Sequence, residues 1–208
     1  MFDFAFSPVP VRDDLKLTYR TIWEHFARPG PTMDAKQRSA LLAAARSGRS
    51  EPAVPAEGSA LWHLGATLYA DPAAVTESTV RDAADQAGDA AATETVGLVA
   101  MLSAVDGAHR ALGVALEPLP APAPGPATQN IASGLKRRRT HLPMPSGAIP
   151  SALDLVPEVA KVYRDSFGPQ YMSESDMAFS DFERTPGLNR AQIELVSSRT
   201  SFINECFY

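Results

Sequence analysis

The sequence predicts an all-α protein. Several segments repeat apolar residues every three or four positions, which is the spacing of a helix that buries one face. No segment alternates apolar and polar residues for long enough to indicate a half-buried strand. The 18 prolines lie mostly outside the periodic segments, and the chain is rich in alanine, the strongest helix former. A helical fold is therefore the expected class.

The N-terminal half contains five predicted helices. The first has an apolar stripe with two aspartates in its first turn, and Pro29-Gly30-Pro31 ends it. The stretch from Ser47 to Pro52 closes the second helix, and Thr76 begins the fourth. The fifth is the most apolar, so we expect it at the centre of the fold. The predicted spans are residues 13–28, 32–46, 58–70, 76 onwards, and 93–106 with a continuation to 112.

A proline-rich stretch interrupts the helical pattern after residue 117. Pro118 to Pro126 cannot form a helix interior and favours an extended linker of polyproline type. The basic run from Lys136 to Arg139 follows, and we interpret it as a solvated stretch between domains. Binding of an acidic partner or a nucleic acid by this run is the alternative. Helical patterns resume at residues 156–167, 173–182 and 188–203.

Composition limits the classes of function. The chain has 208 residues, enough for one large or two small domains, and 45% of them are apolar. A net charge of −5 argues against general nucleic-acid binding, which relies on a basic excess. The longest apolar runs are too short to span a bilayer and no signal peptide is recognisable, so we expect no membrane partner. A single cysteine excludes an internal disulfide and favours a reducing, cytoplasmic location.

The C-terminal segment carries the most specific functional signal. An amphipathic helical pattern runs from Glu194 into Cys206, the only cysteine, twelve residues later. The residues around the cysteine read Asn204-Glu205-Cys206-Phe207-Tyr208. Residues 184–208 resemble the active-site segment of the AhpD-like family, which comprises alkylhydroperoxidase D and carboxymuconolactone decarboxylase relatives. In that family a Glu stands twelve residues before the first Cys of a C-x-x-C pair, and a His follows four residues after the second Cys.

The resemblance implies an AhpD-like helical bundle and a thiol-dependent alkylhydroperoxidase, an antioxidant protein of peroxiredoxin type. In that family the second cysteine usually attacks the peroxide, the first resolves the sulfenic acid or donates a proton, and a cellular dithiol restores the pair. Only Glu194 and Cys206 match positions of this motif, so they are the candidate catalytic residues. The resemblance implies no cofactor and no metal. It also implies a small-molecule hydroperoxide and a cellular dithiol reductant as partners, and a homo-oligomer.

A degenerate internal repeat accompanies the motif. At an offset of 100 residues Glu94 corresponds to Glu194, and Asp106 and His109 fall at the two cysteine positions. With the resemblance, this pattern predicts an N-terminal copy that lacks catalytic cysteines; His109 itself is more simply a helix-surface or capping histidine. The predicted divisions are a degenerate AhpD-like repeat at 13–117, a Pro-rich and basic linker at 118–150, and the start of a second, incomplete repeat at 151–208.

The spacing of the motif also predicts its local geometry. On a straight helix twelve residues turn through about 1200°, which leaves the two side chains roughly 120° apart. We therefore expect the helix to break, with Asn204 as the N-cap of a new helix and Cys206 in its first turn. At that position the helix dipole favours a thiolate, the reactive form of cysteine. Glu194 is then expected to lie nearby as a proton acceptor or relay.

The missing half of the motif leaves alternatives open. The second Cys and the His are not among the 208 residues, which predicts that the chain is the front part of a longer gene product and is inactive or impaired as it stands. One alternative is a non-catalytic helical scaffold or oligomerisation protein in which Cys206 is a packing residue. Another is a decarboxylase or lactone-cleaving enzyme, from the other branch of the same superfamily.

Overall fold

The computed structural model describes residues 1–50, 60–146, 151–184 and 188–206. Helices dominate these residues, which confirms the all-α class. Strand pairing among them is limited to one isolated bridge and the antiparallel pair β1 (Glu183–Arg184) and β2 (Leu188–Asn189). The helices are α1 (Asp13–Ala27), α2 (Ala35–Ser50), α3 (Ala60–Ala70), α4 (Glu77–Ala87), α5 (Asp89–Ala111), α6 (Pro157–Gln170), α7 (Glu174–Met177) and α8 (Arg190–Ile203), with a 3-10 turn at Pro72–Ala74.

The helix ends show the local signals that place them. Thr76 is the N-cap of α4, and its hydroxyl accepts a hydrogen bond from the backbone N–H of Thr79. Gly88 has a φ of 91° and separates α4 from α5, a conformation that glycine adopts without steric cost. Asn189 forms a capping box with Gln192, so α8 begins after it rather than at the predicted residue 188.

Helix α5 lies at the centre of the fold, as its apolar composition predicted. It contacts α1, α2, α3, α4 and α6. Its buried side chains form the main hydrophobic core together with Trp23, Leu41 and Leu42. Gly97 lets α6 approach α5 closely, because a Cβ at this position would lie only 2.4 Å from Cγ1 of Val159. Helix α6 therefore shares one core with the N-terminal helices.

The predicted linker forms no helix from residue 118 to residue 132, and its N-terminal part lies against the helical body. The backbone N–H of Ala123 donates to the carbonyl of Ala27 at 2.7 Å. The indole N–H of Trp23 donates to the carbonyl of Pro118 at 2.8 Å. Such bonds satisfy backbone groups that an extended segment cannot pair internally. The division of the chain into three segments stays a prediction, and residues 147–150 lie outside the described ranges.

The helical prediction for residues 173–182 is only partly right. Helix α7 covers four of these residues and then ends. The guanidinium of Arg190 donates to the carbonyls of Met177 and Phe179 at 2.6 and 2.8 Å. These bonds satisfy carbonyls at the end of α7 from outside the helix. The chain then turns into β1 instead of continuing as a helix.

Candidate functional site

Glu194, the candidate proton acceptor, lies on α8, one turn from its start, and its side chain contacts the residue at the end of α6. Its Oε2 accepts a hydrogen bond from the Tyr171 hydroxyl at 2.6 Å. The Nε of Arg190, one turn earlier on α8, lies 3.6 Å from Oε1, and the Glu194 side chain is 41% exposed. Burial and the hydrogen bond to Glu194 raise the pKa of Tyr171, so the phenol stays protonated and donates. The carboxylate is therefore held in one orientation while it remains open to solvent.

Cys206, the candidate nucleophile, lies just beyond the C-terminal end of α8 and is exposed. Its backbone N–H donates to the carbonyl of Ser201 at 2.9 Å, and that of Glu205 donates to Phe202 at 3.2 Å. Glu205 has a φ of 50°. These bonds and this conformation form a Schellman motif, which commonly ends a helix with a left-handed residue. The thiol thus lies at the negative end of the helix dipole.

The expected contact between the two candidate residues is not formed within the described residues. Asn204 is the C-cap of α8, so the prediction that it caps a new helix around Cys206 is wrong. Helix α8 runs unbroken from Glu194 to its end, and the N–H of Cys206 bonds at the level of Ser201. Seven residues of helix separate that level from Glu194, which is roughly 10 Å along the axis. The spacing alone did not fix where the helix ends or how the chain leaves it.

A cleft of about 660 Å³ lies between α6 and α8, and neither Glu194 nor Cys206 is among its lining residues. Its α6 side is aromatic, and its α8 side extends to the residue whose carbonyl binds the backbone of Cys206. The lining includes Tyr163, Phe167, Tyr171, Ile193, Val196 and Ser201. A mainly apolar concave surface with a few polar groups is typical of small-molecule sites. One hydrogen-bond partner of each candidate residue lines the cleft: Tyr171, which donates to Glu194, and Ser201, which accepts from the backbone of Cys206.

Glu94, the counterpart of Glu194 in the predicted repeat, lies in the core and not in a site. Its Oε1 is 3.2 Å from Nε of Arg38, and both side chains are fully buried. The two atoms are too poorly aligned for a hydrogen bond. Oε2 accepts bonds from the N–H and the hydroxyl of Thr32, at 2.8 and 2.5 Å. Burial raises the pKa of Glu94, whereas the Thr32 bonds and the Arg38 charge lower it. The hydrogen bonds of Thr32 to Glu94 attach the α1–α2 loop to α5.

Arg38 also binds the end of α1. Its Nη1 donates to the carbonyls of His25 and Arg28 at 2.8 and 2.7 Å, and its Nη2 lies 2.7 Å from Nε2 of His25. An arginine can only donate, so Nε2 of His25 must be an unprotonated acceptor. Burial, and after it the charges of Arg38 and Arg28, lower the pKa of His25 to about 3. His25 is therefore a neutral structural residue.

The residues at the two cysteine positions of the repeat are buried as well. Asp106 accepts two hydrogen bonds from Arg46, at 2.9 and 2.7 Å, and one from the Tyr69 hydroxyl at 2.5 Å. His109 is 2% exposed, and its Nδ1 donates to the carbonyl four residues earlier. The prediction of a surface or capping histidine is wrong, because N-terminal aromatic residues, among them Phe4, pack against its ring.

Tyr171 is the site residue that the sequence did not reveal. It lies 23 residues before Glu194 along the chain. No local pattern links two positions so far apart, because their contact depends on how α6 and α8 are placed. A tyrosine near a helix end gives no signal of its own, since its body is apolar and its hydroxyl finds a partner wherever the fold provides one.

The residues that the structure describes offer neither a metal centre nor a membrane-spanning helix. They contain no group of three or more His, Cys, Asp or Glu residues that could hold a metal ion. None of their helices is long and apolar enough to cross a membrane. Comparisons with protein-family models, curated proteins and solved structures find no match to this chain. The AhpD-like resemblance therefore depends on the motif residues themselves.

Proposed function

We propose that the protein is a thiol-dependent peroxidase or dithiol–disulfide oxidoreductase of AhpD-like type, built on that family's helical bundle. The observation that carries the proposal is the exposed thiol of Cys206, which follows an oriented Glu194 at the family's spacing. A cysteine that attacks a sulfenic acid, and whose disulfide is then reduced by an external dithiol, must be accessible and must lose its proton. Cys206 meets the first requirement directly.

The proposed reaction consumes one alkyl hydroperoxide and one dithiol. The second thiolate of the C-x-x-C pair, which is not among the 208 residues, attacks the terminal peroxide oxygen. The O–O bond breaks, the alcohol leaves after protonation, and a sulfenic acid remains. The thiolate of Cys206 then attacks the sulfenic sulfur and forms the disulfide, and the hydroxyl departs as water. A cellular dithiol reduces this disulfide in two exchange steps and becomes oxidised itself.

Glu194 has the role of proton acceptor and relay in this proposal. Direct transfer between the carboxylate and Cys206 needs a hydrogen bond, and roughly 10 Å of helix already lies between Glu194 and Ser201, whose carbonyl binds the backbone of Cys206. Each hydrogen bond through water spans about 2.8 Å, so several waters in the α6–α8 cleft are needed to connect the two groups. Tyr171 lines that cleft and touches the carboxylate, so it positions Glu194 for this role.

The test compares this chain with an extended variant. In that variant a second cysteine follows Tyr208 directly, and a histidine stands four residues after it. With cumene hydroperoxide and dithiothreitol, we expect no turnover by the 208-residue chain and measurable turnover by the extended variant. Cys206→Ser in the extended variant removes the disulfide step and abolishes turnover.

Two carboxylate variants of the extended protein separate a proton relay from simple charge. Glu194→Gln is expected to reduce the rate about a hundredfold, in the range of general acid–base effects. Glu183→Gln, at an exposed position of β1, is the matched control and should leave the rate unchanged. Peroxide consumption by the 208-residue chain that survives Cys206→Ser would contradict the proposal.

A non-catalytic helical interaction protein is the second candidate. It is favoured by four large apolar residues on α8 that are between 62% and 73% exposed, Leu195, Val196, Phe202 and Ile203. Exposed apolar surface of this kind often marks association. Sedimentation velocity of the native protein measures whether it associates through these residues. A dimer or larger species that Leu195→Ser disrupts, together with an extended variant that fails to consume peroxide, selects this candidate.

A further inference from the structure

A short basic loop is fixed to the helical body by its base. The backbone bridge between Lys136 and Met144, with N and O 3.4 Å apart, closes the segment 136–144. Leu142 packs against the apolar cluster that α3, α4 and α5 form, and Pro143 is buried. The arginines between the two ends are therefore presented by folded backbone. The basic run is exposed, as expected for a solvated stretch, but its two ends are held by the helical body.

The anchored loop and α4 enclose a cavity of about 380 Å³. Four arginines and one histidine line it, against a single carboxylate. That carboxylate, Glu77, is paired with Arg81 on the next turn of α4. Arg137 is paired with Asp89, and Asp85 also acts on its charge. The lining residues are Glu77, Arg81, Arg137, Arg138, Arg139, Thr140 and His141.

Among the arginines of this cavity, Arg81 and Arg137 are paired with carboxylates, whereas Arg138 and Arg139 are not paired within the described residues. Both are exposed, and neither forms an ion pair or hydrogen bond with the part of the chain that the structure describes. They also line an adjoining cavity of about 390 Å³ that reaches Met144. Two like charges on neighbouring residues repel each other, so an anion bound between them lowers their electrostatic energy. The planar guanidinium matches the paired oxygens of a phosphate particularly well.

We infer that this cavity binds a small molecule that carries a phosphate or diphosphate group. The volume lies within the range of small-ligand pockets, roughly 300–1,000 Å³. A nucleic acid instead needs an extended basic surface, and the chain as a whole carries a net charge of −5. A local concentration of arginine in an acidic chain fits a compact anion better than a long one. This site is separate from the thiol chemistry and does not depend on it.

Calorimetric titration of the full chain with sodium pyrophosphate at physiological salt tests the inference. We expect saturable binding of one pyrophosphate per chain. Titration with ADP identifies the source of the phosphate. Affinity equal to that of pyrophosphate indicates recognition of the phosphate group alone, and tighter binding of ADP indicates an organic ester; both outcomes support the site.

Two double variants distinguish the site from general charge. Arg138→Ala with Arg139→Ala should weaken binding about tenfold or more, since each charge-assisted hydrogen bond to phosphate is lost. Arg20→Ala with Lys36→Ala removes the same charge from exposed positions outside the cavity and should change the affinity less than about threefold. Far-UV circular dichroism shows that both variants are folded.

A third variant tests the loop geometry while every arginine is kept. Leu142→Ser removes the apolar anchor, so the loop loses its fixed position and pyrophosphate binding should weaken several-fold. Three results overturn the inference. They are no pyrophosphate binding by the native chain, equal weakening in the two double variants, and tighter binding of a single-stranded oligonucleotide than of pyrophosphate or ADP.

Discussion

The neutral state of His25 predicts a specific loss of stability in acid. In the folded protein its pKa is lowered to about 3, by burial first and then by the charges of Arg38 and Arg28. In the unfolded chain an ordinary histidine has a pKa near 6.5. The unfolded state therefore binds the proton more tightly, and the stability contributed by neutral His25 is lost as the pH falls below about 6.5. Folding near neutral pH is not affected.

The magnitude follows from the difference in pKa. Each pH unit below about 6.5 costs roughly 1.4 kcal/mol, as long as the folded His25 stays neutral. Between pH 7 and pH 5 the loss is therefore about 2 kcal/mol. The geometry gives the same sign, because a proton on Nε2 removes the acceptor that lies 2.7 Å from Nη2 of Arg38. Arg38 would then face a second cation in a buried position.

Urea unfolding followed by far-UV circular dichroism, at pH 7 and pH 5, measures this loss. His25→Gln keeps a neutral acceptor for Arg38 and does not titrate, so its stability should fall about 2 kcal/mol less than that of the native protein over this range. His63→Gln changes an exposed histidine and should retain the native pH dependence. Parallel stability curves for the native protein and His25→Gln would refute the reasoning.

Three further outcomes are expected. Glu94→Ala leaves Arg38 buried without its carboxylate and should cost about 3–5 kcal/mol in urea unfolding, whereas Glu94→Leu with Arg38→Met should cost clearly less; equal losses would show that the pair is not the cause. Gly97→Ala places a methyl group 2.4 Å from an α6 side chain and should destabilise the fold by about 1–3 kcal/mol. Gly107→Ala, on the exposed side of the same helix with nothing within 4 Å, should stabilise the fold by about 0.5–1 kcal/mol. An equal loss of stability in both alanine variants would contradict the close packing of α6 on α5 at Gly97. Cys206 should react with Ellman's reagent in the native protein about as fast as in urea, since exposed thiols are not protected; a slow reaction that urea accelerates would show that the thiol is covered.

Much of the helical architecture could be predicted from local sequence. The stripe of α1 and the cap at Thr76 are local features, because a helix depends on neighbours three and four positions apart. The central place of α5 also followed from its composition, since a helix that is apolar on most sides must be surrounded. The length of α7 could not be predicted this way. Its end is fixed by bonds from Arg190, thirteen residues after Met177, and that contact exists only in the folded chain.

The candidate site was also predicted only in part from the sequence. The resemblance to the AhpD-like motif selected Glu194 and Cys206, and that selection stays a prediction about chemistry. Only the tertiary structure decided that Tyr171 orients the carboxylate and that Glu94, the counterpart of Glu194 in the predicted repeat, is buried beside Arg38. The physical reason is the range of the interactions. Helix periodicity and capping act over a few residues, whereas ion pairs and packing join positions that the sequence separates by dozens.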